Sequence, residues 1–252
     1  MKKTMKADEF AKKLISIATQ YDTLYVFGAF GAHLRADNAE RYIKKSKKNQ
    51  VPEVEKTIRE SVDKGVFIFD CVCLIKALLW GWNGNLEANY GGAIYESNGV
   101  PDISSNQMIT VCTEVSEDFS NIQVGEFLWL TGHCGIYVGD GLCVECTPKW
   151  ENKVQITAVG NIGSKEGYHT RYWTKHGFLP YIDYTTAISP KEPVEEKNDS
   201  DSTDSNENST LPNVQDAPEN DAIEKDESHN TLKCLINIIH KLIKLIHSLF
   251  TK

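Results

Sequence analysis

Between Asp8 and Tyr21 the apolar positions Phe10, Leu14, Ile17, Ala18 and Tyr21 recur at three-four spacing, which predicts an amphipathic helix. A short apolar run, Thr23–Ala32, follows and ends in glycines. Asn38–Lys48 and Pro52–Asp63 are charged and lysine-rich. They predict surface helices, and Pro52 suits a first turn. Val66–Phe69 then leads into Asp70. Aspartate is a strong N-cap, so a further helix should start with Cys71 in its first turn and stop at Gly81 or Asn83–Gly84. From Gly91 to Thr110 the punctuation P-D, S-N and G-V predicts loop. Beyond it the period falls to two. Ile122–Leu130, His133–Val138, Leu142–Thr147, Val154–Val159 and Gly177–Ile182 are strand candidates. Helices first and an antiparallel meander after predict an α+β domain over residues 1–184.

The pattern then breaks twice. Residues 185–230 are rich in Ser, Asn, Asp, Glu and Pro, with thirteen acidic residues against three lysines. Such a composition buries too little surface to offset its ordering entropy and predicts a disordered acidic linker. In residues 231–252 Leu232, Ile236, Ile239, Ile243, Ile246 and Phe250 return to three-four spacing, with four lysines and no acid. This predicts a cationic amphipathic helix suited to membrane contact or self-association. As a membrane span it fails, because Lys241 and Lys244 near its middle cost about 2.5–3.5 kcal/mol each. Most of the formal charge of −8 belongs to the acidic segment. The main domain is nearly neutral, which speaks against a nucleic-acid partner. The N-terminal lysines precede no apolar run of signal-peptide length. Synthesis in a cytoplasm is therefore expected, and the seven cysteines read as free thiols.

Two motifs carry candidate chemistry. F-D-C-V-C-L-I-K, Phe69–Lys76, places Cys71 at a helix start, where the positive helix end and a nearby imidazolium would stabilise a thiolate. G-H-C-G-I-Y-V-G, Gly132–Gly139, places His133 among glycines on a strand. A thiol on a helix facing a histidine on a sheet is the layout of a papain-like cysteine hydrolase. Gly139-Asp140-Gly141 reads as a three-residue hairpin loop in which Val138 pairs with Leu142. Gly135 then faces Glu145, one diagonal step from His133, where a carboxylate would orient the imidazole. A two-residue loop would flip Glu145 to the other face and leave it an exposed strand carboxylate. Cys143 and Cys146 spell C-x-x-C, but three residues apart on a strand they face opposite sides. No metal or cofactor is expected. Cys112, Cys134 and Cys234 read as packing residues.

Together with Thr23–Gly31, the V-G-E-F-L-W-L strand and V-E-C-T-P, these motifs make the chain resemble the NlpC-type papain-like cysteine peptidases, hydrolases of peptidoglycan stem peptides, from about Asp8 to Tyr184. The resemblance implies a nucleophile-bearing helix packed on an antiparallel sheet. It implies Cys71 as nucleophile, His133 as base and Glu145 as the third residue. Tyr25 and Asp70 would lie on the substrate side. It also implies an endolysin-like enzyme acting at the bacterial cell wall, with peptidoglycan as partner. Two positions depart from the family. Val72 follows the nucleophile where the family has a small polar residue. Glu145 stands where His, Asn or Gln is commoner, and it is similar to amidase-type wall hydrolases. An N-acetylmuramoyl-L-alanine amidase therefore stays open, as does a non-catalytic wall- or membrane-binding protein.

Overall fold

Helix α1 (Ala7–Gln20) follows a two-residue strand, β1 (Met5–Lys6), and turns Phe10, Leu14 and Ile17 fully inward. Its outer face carries the i,i+4 pairs Lys12–Asp8 and Lys13–Glu9. The structure, a computed structural model, describes residues 5–185. The acidic segment beyond Thr185 and the C-terminal residues 231–252, with Cys234, lie outside the described residues.

The apolar run after α1 holds two strands, β2 (Thr23–Tyr25) and β3 (Phe30–His33), separated by a turn at Gly28. The surface helices α2 (Ala36–Lys45) and α3 (Pro52–Glu60) come next, each ending short of its predicted limit. Strand β4 (Phe67–Phe69) then inserts between the first two, parallel to β2 and antiparallel to β3. It delivers the chain into α4 (Cys71–Leu79). Asp70 caps this helix as predicted, its Oδ1 accepting from Cys73 N at 2.7 Å. Every residue of α4 is buried, as befits a helix that is apolar all round.

The segment 91–110 departs from the predicted loop. It closes with helix α5 (Ser105–Val111), started by a reciprocal cap: Ser104 Oγ accepts from Gln107 N, and Gln107 Oε1 from Ser104 N. The S-x-x-Q spacing was the signal, overshadowed by the turn-forming dipeptides around it.

Seven strands form the main sheet in the order β10-β9-β8-β7-β6-β11-β5. They are β5 (Thr113–Ser116), β6 (Phe127–Leu130), β7 (His133–Gly139), β8 (Leu142–Thr147), β9 (Lys153–Val159), β10 (Thr170–Arg171) and β11 (Lys175–Phe178). All neighbours are antiparallel except β9 and β10. The mixed α+β class agrees with the sequence. Two predicted strands are shorter than expected. Only Phe127–Leu130 of the first is strand, because Gly125 turns the chain with φ 91. Gly177–Ile182 divides around Pro180 into β11 and β12 (Ile182–Asp183), and β12 pairs in parallel with β1.

The β7–β8 hairpin corrects one register and keeps another. Leu142 pairs with Gly139, not Val138, across a two-residue turn at Asp140 and Gly141, both with positive φ. A bulge between Tyr137 and Gly139 absorbs the difference, so Ile136 still pairs with Val144. Beyond the bulge Glu145 keeps its place on the face of His133.

One face of the sheet packs on α1 and α4 through Cys134, Ile136, Val144 and Cys146. The other carries Phe119, Leu128, Cys143, Val159 and Trp173. Cys143 and Cys146 therefore serve opposite cores. At the β6–β11 junction His176 is buried, with Nδ1 donating to Glu126 Oε2 and Nε2 to the Asp118 carbonyl.

Candidate active site

Helix α4 and strand β7 meet at the site. Cys71 occupies the first position of α4 and is 8% exposed. His133 opens β7 beside the Cys71 side chain, close enough that each shifts the other's pKa. His133 Nε2 lies 2.6 Å from Glu145 Oε2, which leaves Nδ1 for the thiol. The three predicted residues thus stand side by side, thiol, imidazole and carboxylate.

Glu145 is the buried anchor. It is 1% exposed, and Arg171 Nε lies 2.8 Å from each of its oxygens. Thr157 Oγ1 donates to its Oε1 at 2.6 Å. Burial alone would raise the carboxyl pKa, but His133 and Arg171 outweigh it and hold the group below its ordinary value. The carboxylate thus stays charged where an uncharged acid would orient the ring poorly.

Burial also opposes a charged imidazole at His133. The neighbouring Cys71 and Glu145 prevail and raise its pKa. The Trp173 ring stacks on His133, with centroids 5.6 Å apart and planes 12° from parallel, a face that favours the imidazolium. Gly135 makes room for that indole: a Cβ there would stand 3.1 Å from Trp173 and 3.0 Å from the Val144 carbonyl. The Cys71 thiol is lowered to about 5. Cys134 contributes most, followed by His133, against burial.

Sequence reasoning missed three members of this constellation. Arg171 lies on a two-residue strand, and Trp173 follows it in the next turn; only the long-range pairing of β10 with β9 brings them here. Cys134, read as packing, is fully buried but also faces the nucleophile. Its signal was available, since strand alternation turns the neighbour of His133 toward the helix.

A cleft of about 510 Å³ opens on Cys71, lined by Phe27, Gly28, Lys45, Lys48, Tyr95 and Asn106 among others. Asn106 Oδ1 accepts from Trp129 Nε1 at 3.0 Å and from Gly132 N at 2.8 Å. This fixes the amide so that its NH₂ is the end left for the cleft. Asp70 also lines the cleft, but both carboxylate oxygens are engaged, one with Cys73 N and one with Gly28 N at 2.8 Å. Burial and the neighbouring Cys71 raise it to about 6. Tyr25 lies on β2, its phenol pKa raised by burial and by Cys71, with its backbone N–H donating to Asn152 O. Among the described residues no cluster of three or more His, Cys, Asp or Glu side chains is arranged to hold a metal ion.

No family model matches the chain, and no curated protein matches it.

Proposed function

We propose that this protein is a papain-like cysteine hydrolase that cleaves an amide bond in peptidoglycan peptides. The observation that carries the reading is the set Cys71, His133 and Glu145, of which Cys71 lines a cleft and His133 contacts the buried Glu145. In this mechanism the Cys71 thiolate attacks the amide carbonyl carbon. The negative charge that develops on oxygen is met by the Cys71 backbone N–H at the helix start and by the Asn106 amide. The His133 imidazolium then protonates the leaving amine as the C–N bond breaks, giving a thioester. The neutral imidazole next takes a proton from water, whose oxygen displaces Cys71 and releases the carboxylic acid. Glu145, held by Arg171 and Thr157, keeps the ring oriented and favours its charged form throughout.

The wall substrate rests on the sequence resemblance, and the amidase reading shares the same site. Glu145 as third residue favours that alternative, which differs only in which amide is cut. Digesting purified cell walls and identifying the fragments by mass spectrometry separates the two: new peptide termini within stem peptides indicate the peptidase, and peptides freed from muramic acid the amidase. Cys71→Ala should abolish digestion while preserving the circular dichroism spectrum. Glu145→Gln should lower turnover by about 10²–10⁴-fold, the range of a positioned acid–base group. Digestion surviving Cys71→Ala, or inactivation by a chelator that zinc reverses, overturns the thiol mechanism.

A further inference from the structure

Lys45 and Lys48 end α2 and begin the loop after it, and both line the cleft that opens on Cys71. Their place is built, not incidental. The Phe27–Gly28 turn beneath them is clamped from three sides. Buried Asn49 accepts from Phe27 N at 3.0 Å and donates to the Phe27 and Tyr42 carbonyls. Asp70, the cap of the nucleophile helix, accepts from Gly28 N. Lys45 Nζ donates to the Gly28 carbonyl at 2.6 Å, and Lys48 Nζ sits 4.1 Å from the centre of the Phe27 ring. The two ammonium groups are thus anchored to the same turn that is tied to the catalytic helix.

Neither lysine forms an ion pair among the described residues, whereas neighbouring Lys44 pairs with Glu40. The cleft's third cation, Lys76, is buried and held by Asp102 and by the Ile103 carbonyl. Asp102 feels the Lys45 charge, but its oxygens already accept from Lys76 and Tyr95. Asp70 is likewise engaged by two backbone N–H groups. The cleft lining therefore carries three lysines against two aspartates, and neither aspartate is ion-paired with Lys45 or Lys48.

We propose that Lys45 and Lys48 form a subsite for a carboxylate on the substrate, close in the peptide to the scissile amide. This inference rests on the hydrolase reading above and names the substrate class of that site: acidic wall peptides in preference to their amidated counterparts. A carboxylate there accepts from two ammonium groups, while a carboxamide brings its own N–H donors against them. Lys48 Nζ already rests over the Phe27 ring and Lys45 Nζ on the Gly28 carbonyl, which limits the ordering cost when the ligand arrives.

The test uses two synthetic wall peptides, identical except that the carboxylate beside the scissile bond is a carboxamide in one. The full-length protein should prefer the acid by about tenfold in kcat/KM, what two partly exposed charge pairs together supply. The preference should shrink as salt rises. In Lys45→Gln/Lys48→Gln the acid-to-amide ratio should fall to about one, and in Lys45→Arg/Lys48→Arg it should persist. The ratio is immune to partial unfolding, which lowers both rates alike. Calorimetric binding of both peptides to Cys71→Ala gives the same comparison without turnover. Hydrolysis of both at equal rates keeps the hydrolase and removes the subsite. Tighter binding of the acid, without hydrolysis by the wild-type chain, keeps the subsite and removes the hydrolase. A ratio unchanged in the double glutamine variant overturns the assignment.

Discussion

A thiol flanked by one imidazole is a common way to make a nucleophile; here a second thiol stands on its other side. Cys134 is the largest influence lowering the Cys71 pKa to about 5, ahead of His133. His133 is raised above its ordinary 6.5. Thiolate and imidazolium therefore coexist from about 5 up to the raised imidazole value. Activity should climb as pH passes upward through about 5, where Cys71 loses its proton, and decline where His133 loses the proton it owes the leaving amine. Cys134→Ala removes the second thiol, so the acid limb of kcat/KM should move to higher pH, while Cys134→Ser should hold it near the wild-type position. Ultraviolet titration of thiolate absorbance in the three proteins checks this. An acid limb that stays in place in Cys134→Ala reduces Cys134 to a packing residue.

The β7–β8 hairpin decides whether Glu145 belongs to the site at all. Its two-residue turn alone would place that carboxylate on the wrong face; the bulge at Val138 restores it. Deleting Val138 should remove the bulge yet leave the Tyr137–Cys143 and Ile136–Val144 pairs in register, so Glu145 should keep its contact with His133 and turnover should stay near the wild-type value. Turnover and the His133 titration, followed by NMR in the deletion variant, measure the effect; a large loss of turnover or a shifted His133 titration there refutes this account of the bulge. The position of the turn at Gly139–Gly141, though not its two-residue form, was plain in the sequence, and so was the alternation that put His133 and Glu145 on one face. The bulge was not, because a single extra residue leaves no periodic trace. Helix α4 was legible for the opposite reason: cap, apolar run and terminal glycine all agree locally. Arg171 and Trp173 were illegible because their importance arises only when β10 finds β9, a pairing two residues long with no periodicity of its own.

Stability and site formation are properties of the whole described domain. His176 donates from both ring nitrogens, so the buried pair with Glu126 holds an imidazolium. Burial opposes that charge, but the bonds to Glu126 and Asp118 prevail and raise the pKa above 6.5. A raised folded pKa contributes stability that is complete below the unfolded value and is lost as pH rises through the folded one. His176→Ala should therefore cost about 3–5 kcal/mol in mildly acidic solution, as removing one partner of a buried pair does, and distinctly less in alkaline solution. Denaturant unfolding of both proteins across that range measures the difference; a cost independent of pH assigns His176 to packing alone.

The reactive centre is also spread along time. Arg171, which holds Glu145, is the hundredth residue after Cys71, and β12, which pairs with β1, comes later still. At about 5–20 residues per second, a ribosome needs roughly 5–20 s to travel from Cys71 to Arg171. Until His133 and Cys134 have been made and packed against it, Cys71 is an ordinary thiol with a pKa of about 8.5, mostly protonated at neutral pH. The groups that lower the Cys71 pKa are Cys134 and His133, so the thiolate is favoured once β7 packs on α4, and Arg171 arrives afterwards to hold Glu145.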